Sequence, residues 1–217
     1  MPIHLSTPKF PPVETADEYG VVLVGGKLSA EWILAAYQRG IFPWPVSVGR
    51  RHVLAWFSPN PRAILEFEQV RVSHRLARRM RSGQFQVTFN QAFSQVIAAC
   101  AAPRKEESGT WIIPELAQAY TALHEKGITQ SVEVWEAGQL VGGLYGLAMG
   151  RYFSGESMFH RTTDASKVAL VSMARHLQSQ GFTLFDVQVM NPHLASMGAS
   201  DIPRQQFLAR LKSALRS

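Results

Sequence analysis

Apolar positions recur at helical spacing in some windows of the chain and alternate in others, and turn-forming residues separate the two. Residues 1–28 are rich in Pro and Gly and hold one short apolar run, Val21 to Val24. Ser29 is placed to cap a helix through Arg39 that carries Ile33, Leu34 and Tyr37, with Gly40 just past its end. Trp44 stands between Pro43 and Pro45, which exclude a helix interior and a central strand and predict a stiff loop displaying the indole. Val53 to Phe57 and Ala63 to Phe67 then read as short strands around the turn Ser58-Pro59-Asn60-Pro61.

Farther on, Ser73 predicts a short helix to Met80, and Phe85, Val87 and Phe89 alternate as in a strand. Asn90 is expected to cap a helix with Phe93, Val96, Ile97 and Cys100 on one face, and Pro114 to open another carrying Leu116, Tyr120 and Leu123. Strands follow at Ser131 to Trp135 and through the glycine-rich Leu140 to Phe153. A long helix over 164–180, a strand from Thr183 to Val189 and a last helix from Pro203 complete the pattern. This order predicts an α+β fold, a mostly antiparallel sheet flanked by helices and not a doubly wound one. A boundary near residue 58 would divide a small N-terminal domain, 1–57, from a larger one, 58–217.

With 217 residues, 46% apolar and 18% charged, the chain can bury a full core, which excludes disordered and fibrous classes. The single Cys100 can make neither an internal disulfide nor a thiolate zinc site, so a reducing, cytoplasmic setting is expected. No stretch reaches the roughly 18 apolar residues of a membrane span, and the N-terminus lacks the hydrophobic run of a signal peptide, so no membrane partner is expected. Twenty-two basic residues against 16 acidic ones give a net charge of +6, which suits a polyanionic partner or a solubilising surface equally.

Locating the charges sharpens this. Arg75, Arg78 and Arg79 fall at i, i+3 and i+4 on the short helix, with Arg71 and Arg81 beside it, a pattern that suits either phosphate groups or a solvated face. Trp44 and Trp111 are either platforms for bases or packing residues. Glu156 lies among small and apolar residues in the run Gly150 to Phe159, where an unpaired carboxylate is costly and something donor-rich, such as Arg151 or backbone, must face it. Asp186 and Gln188, two apart in a strand, share one face, whether a half-exposed sheet surface or a site. Metal-ligand spacing, a Gly-Lys-Ser/Thr phosphate loop and a Gly-x-Ser-x-Gly elbow are all absent, so no metal or cofactor is expected and nucleotide or serine hydrolysis loses its support.

The segments AYQRGIFPWP (36–45), WFSPNPRAIL (56–65), GTWI (109–112), SVEVW (131–135), LVGGLYG (140–146), FSGESMF (153–159), ASKVAL (165–170) and DVQVMNPHLASMGA (186–199) closely resemble the bacterial leucyl/phenylalanyl-tRNA-protein transferases. The resemblance implies a larger domain similar to the GNAT acyltransferase fold. It implies transfer of Leu or Phe, with Met a third candidate donor, from aminoacyl-tRNA to proteins with N-terminal Arg or Lys, creating a destabilising residue of the N-degron pathway. It also implies that Trp44 and Trp111 hold the terminal adenosine with Tyr120 nearby, and that Leu144, Phe153 and Met173 line the side-chain pocket with Glu156 at its polar edge. Leu144 stands where methionine is familiar and Met173 where phenylalanine is. Gln188 would accept a hydrogen bond from the attacking amine, with Asp186 orienting its amide. An acetyl-CoA-dependent acetyltransferase would need a pyrophosphate-gripping Gly-rich turn that is absent here, and a non-catalytic tRNA-binding module would leave Glu156, Asp186 and Gln188 unexplained.

Overall fold

The structure, a computed structural model, describes residues 8–49, 51–103 and 110–216. In chain order the elements are β1 (Val21–Val24), α1 (Ala30–Tyr37), β2 (Phe42–Val48), β3 (Arg51–Phe57), β4 (Arg62–Ile64), α2 (His74–Arg81), β5 (Gln86–Phe89), α3 (Phe93–Ala101), α4 (Pro114–His124), β6 (Thr129–Glu136), β7 (Gln139–Met149), β8 (Tyr152–His160), α5 (Ala165–Ser179), β9 (Leu184–Gln188), α6 (Pro192–Ser196), β10 (Ser200–Ile202) and α7 (Arg204–Leu215). The first three strands form a sheet in the order β1-β3-β2, and the others form a seven-stranded sheet in the order β10-β4-β9-β8-β7-β6-β5. Among the described residues only β8 and β9 pair in parallel, joined through α5, so the expected α+β class with a mostly antiparallel sheet and flanking helices is what the chain adopts.

Local chemistry explains the element ends. The Ser29 hydroxyl accepts the Trp32 N–H at the start of α1. At its end Ile41 N–H bonds the Ala36 carbonyl and Gly40 N–H the Tyr37 carbonyl, with Gly40 at φ +73°, a Schellman turn that only glycine makes without strain. The chain therefore leaves α1 abruptly and enters β2. Ser73 caps α2 through the Leu76 N–H as expected.

Two layers of side chains fill the space on either side of the large sheet. Under α5 lie Leu144, Phe153, Phe185 and Val187 together with Val168 and Met173. On the opposite face Tyr145, Tyr152 and Leu184 pack with Phe93 and Val96 of α3, Leu116 and Tyr120 of α4 and Phe207 of α7. That second layer runs on without a break into Ile33, Tyr37, Phe42 and Trp56 of the N-terminal part.

Several expectations are corrected. Trp44 lies in strand β2 and not in a loop. Because β2 is an edge strand, Pro43 and Pro45 cost no central ladder bonds there. Asn90 does not cap α3: it takes φ +58° and its side chain accepts the Ser131 N–H. The apolar run from Leu140 is two strands, broken by a turn at Gly150, φ +55°. Strand β4 stops at Ile64, and α6 and β10 were too short to show periodicity. The charged segment 104–107 and Gly109 lie outside the described residues.

Strands β7 and β8 approach closely at Gly146, where a Cβ would overlap the Ser154 carbonyl and the Phe153 ring. Gly146→Ala should therefore lower the unfolding free energy by roughly 2 kcal/mol, the range of overpacked cores. An unchanged thermal midpoint would show that the two strands part here without cost.

Candidate active site

Strands β8 and β9 pair only as far as Ser154 and Asp186, and beyond them the two strands part. Opposite Glu156 the β7–β8 ladder slips by one residue, Tyr145 pairing with Ser157 but Gly146 with Gly155, a bulge of the kind that re-aims a side chain. Gln188, at the end of β9, has φ +65°, so the strand conformation breaks there as well. Glu156 and Gln188 thus meet where the sheet opens.

A continuous set of hydrogen bonds ties them together. The Gln188 Nε2 donates to Glu156 Oε1 and to Ser154 Oγ, both at 3.0 Å. Tyr120 donates its hydroxyl to Glu156 Oε2 at 3.0 Å and sits 2.7 Å from the Tyr37 hydroxyl. Asp186 receives the Gln188 backbone N–H on Oδ1 at 2.9 Å and the Tyr152 hydroxyl on Oδ2 at 2.8 Å. Arg62 grips the same carboxylate with Nε at 2.8 Å and Nη2 at 2.7 Å. The donors that Glu156 required are therefore Tyr120 and Gln188, while Arg151 is exposed. Asp186 acts on Gln188 through its backbone and not, as expected, through its side-chain amide. Asp186 and Gln188 are also buried, which removes the half-exposed sheet face as an explanation.

The electrostatics follow from burial. Loss of water pushes the Glu156 carboxyl up to about 7; hydroxyls around it, Tyr120 among them, pull the other way, and the nearby Asp186 adds to the rise. Burial and the carboxylates hold the Tyr120 and Tyr152 hydroxyls well above their ordinary range, so both stay donors.

Trp44 and Trp111, both half-buried, lie side by side with ring centroids 5.8 Å apart. Leu144, Phe153 and Met173 are fully buried together in the layer under α5, across the sheet from Tyr120. On and beside α2 the arginines divide. Arg79 bonds Asp164 at 3.3 Å and Gln84 at 3.1 Å and lies over the Phe85 ring, whereas Arg71, Arg78 and Arg81 are exposed and Arg75 reaches Asp164 only at 3.5 Å. Sequence reasoning missed Arg62, Tyr37, Tyr152 and Ser154. For Arg62 a signal existed: it is the one charge in the strand Arg62-Ala63-Ile64, and the logic applied to Glu156 would have asked for its partner. Among the described residues no group of His, Cys, Asp and Glu is arranged to hold a metal ion, and no helix is long and apolar enough to cross a membrane.

Solved structures resemble this one only loosely. L-PGS from Bacillus licheniformis matches 70% of this chain and 48% of its own at 12% identity and a TM-score of 0.42. An aminoglycoside acetyltransferase from an uncultured soil metagenomic sample matches 60% and 89% at 15% identity and a TM-score of 0.41. Overlaps of that size carry nothing about the reaction. Sequence relatives are much nearer. A leucyl/phenylalanyl-tRNA–protein transferase of Aromatoleum aromaticum is 53% identical over 206 residues, covering 94% of this chain and 86% of the relative. One of Nitrosomonas eutropha is 50% identical over 200 residues, covering 91% and 84%. The family model for leucyl/phenylalanyl-tRNA protein transferase matches residues 64–212, and the model for that family's N-terminal domain matches 26–60. The resemblance read from the motifs thus extends over nearly the whole chain: it belongs to the leucyl/phenylalanyl-tRNA protein transferase family and is an aminoacyltransferase.

Proposed function

We propose that the chain moves leucine or phenylalanine, with methionine as a third donor, from aminoacyl-tRNA to the α-amino group of proteins that begin with Arg or Lys, and so creates the destabilising N-terminus of the N-degron pathway. The observation that carries the reading is the anchored Gln188 amide. Its NH2 is committed to Ser154 and Glu156, which leaves its carbonyl oxygen as the acceptor for an incoming amine.

The amine nitrogen attacks the ester carbonyl carbon; the C–N bond forms, the bond from that carbon to the ribose oxygen breaks, and the proton lost by the amine ends on that oxygen. An α-amine of pKa about 7.7–8.0 is on the order of a tenth neutral at pH 7, so the reaction needs alignment more than a strong base. Gln188 supplies the alignment by accepting an amine hydrogen. Trp44 and Trp111 hold the terminal adenosine with Tyr120 close by, and Leu144, Phe153 and Met173 receive the aminoacyl side chain, with Glu156 marking the polar end. Asp186 has both oxygens engaged by Arg62, Tyr152 and Gln188 and serves to hold Gln188. We assign residues 1–57 to a small N-terminal domain and 58–217 to the transferase domain, and a charged-tRNA substrate locates the protein in the cytoplasm.

A single-turnover assay with leucyl-tRNA and a peptide bearing N-terminal Arg tests the function directly. Peptide leucylation is expected, none is expected with an N-terminal Asp peptide, and equal use of both would remove the acceptor assignment.

The exposed arginines of α2 face the tRNA phosphates in this proposal, with Arg79 acting as a strut to Asp164. Replacing Arg75, Arg78 and Arg81 together by alanine should weaken tRNA binding and flatten the slope of log K against log salt by about 2, since each phosphate contact contributes roughly 0.7–0.9. An unaltered slope would return these side chains to a solvated face.

Glu156 titrates at about 7 in the folded chain against 4.5 when free. Between those values the folded state keeps a proton that the unfolded state has lost, so this group's contribution falls as pH rises from 4.5 to 7 and is flat outside that window. The total is on the order of 3 kcal/mol. Glu156→Gln should remove that fall, measured as the thermal midpoint from pH 5 to 8; a variant that keeps it would clear Glu156.

A further inference from the structure

The transfer step above uses Gln188 but gives no account of Arg62, the largest fully buried charged side chain among the described residues. All of its polar atoms are directed. Nε and Nη2 hold the two oxygens of Asp186, and Nη1 donates to the Gly40 carbonyl at 3.1 Å. The guanidinium also lies over the Phe42 and Phe207 rings, whose centroids are 4.7 and 4.5 Å from its central carbon. A buried ion pair is weak as a source of stability, because desolvation of both ions offsets their attraction. What such an arrangement does supply is geometry, since a planar fork bound at three points and packed against two rings has little freedom left.

That geometry is transmitted to Gln188. A non-glycine residue at φ +65° persists only where its surroundings over-determine it, and here the determinant is the bond from Gln188 N–H to Asp186 Oδ1. The backbone ladder is a poor substitute, because the β4–β9 pairing is irregular between Ala63 and Ile64, right beside Gln188. Asp186 in turn is oriented by Arg62 and Tyr152. We infer that Arg62 is a positioning residue for aminoacyl transfer: by fixing the Asp186 carboxylate it fixes the left-handed turn at Gln188 and thereby aims the amide carbonyl at the amine. The inference rests on the role of Gln188 proposed above.

Lysine keeps the charge but cannot form the fork, so Arg62→Lys in the full-length protein separates geometry from charge. Single-turnover transfer from leucyl-tRNA to an N-terminal Arg peptide should slow by roughly tenfold or more, while the dissociation constant for the charged tRNA stays within about twofold, the pattern of an interaction used after binding. In a Gln188→Ala background the same change should cost less than about twofold, because residues acting through one another are not additive. Losses that multiply, or a loss confined to tRNA affinity, would reduce Arg62 to a structural role and leave Gln188 untouched. A wild-type rate in Gln188→Ala alone would overturn the Gln188 reading, and Arg62 with it. If Arg62→Lys fails to fold, Tyr152→Phe removes one donor from Asp186 without stranding a buried charge. A transfer loss on the wild-type background that vanishes with Gln188→Ala supports the inference, and equal losses on both overturn it.

Discussion

A guanidinium and a carboxylate removed from water must satisfy each other, and the pairing of Arg62 with Asp186 organises much of the surrounding structure. The pair joins β4 to β9 by two bonds, reaches past the end of α1 to the Gly40 carbonyl, and has the rings of Phe42 of β2 and Phe207 of α7 against its guanidinium. Removing either ion alone would leave the other uncompensated in an apolar surround, which is far costlier than losing a surface bridge. Contacts at the protein surface, such as Arg75 with Asp164, have no comparable hold because water is always an alternative partner.

From this pair the polar groups run in a closed circuit. Arg62 donates to the Gly40 carbonyl, Gly40 N–H bonds the Tyr37 carbonyl at the end of α1, the Tyr37 hydroxyl meets Tyr120, Tyr120 and Gln188 both donate to Glu156, and the Gln188 N–H returns to Asp186. The abrupt Schellman stop of α1 is therefore part of the site as well as a helix terminus. The opening between β8 and β9 gives the circuit its place, since the ladder of the two strands ends at Ser154 and Asp186, beside Glu156 and Gln188. Apolar residues that alternate with these, Phe153, Phe185 and Val187, pack under α5 and keep the strands seated.

Much of this was legible in the sequence where the cause is local. Caps at Ser29 and Ser73, the glycine after α1, the proline opening α4 and the apolar face of α5 are short-range signals, and each element formed where they indicated. Motifs pointed to the family, and Glu156 was correctly expected to need donors. Trp44 was misread because prolines are incompatible with a central strand yet harmless on an edge, and edge status depends on topology that no local window contains. Asn90 was misread because its side chain had a non-local alternative, the Ser131 N–H. Arg62 was overlooked for the same reason, its partner being far along the chain. How completely Asp186 and Gln188 are enclosed likewise depends on strands and helices distant in sequence.

The span of that partnership bears on how the protein is made. Arg62 and Asp186 are separated by 124 positions, so an emerging chain carries an arginine destined for the interior long before its counter-ion has left the ribosome. Until β9 is synthesised β4 has no strand to pair with, and contacts of such long range form late and slowly. A polypeptide arrested short of that strand would contain the tryptophans, the basic helix and most of the sheet. It would still lack Asp186 and Gln188, leaving Arg62, Tyr152, Ser154 and Glu156 without the partners they hold in the finished fold.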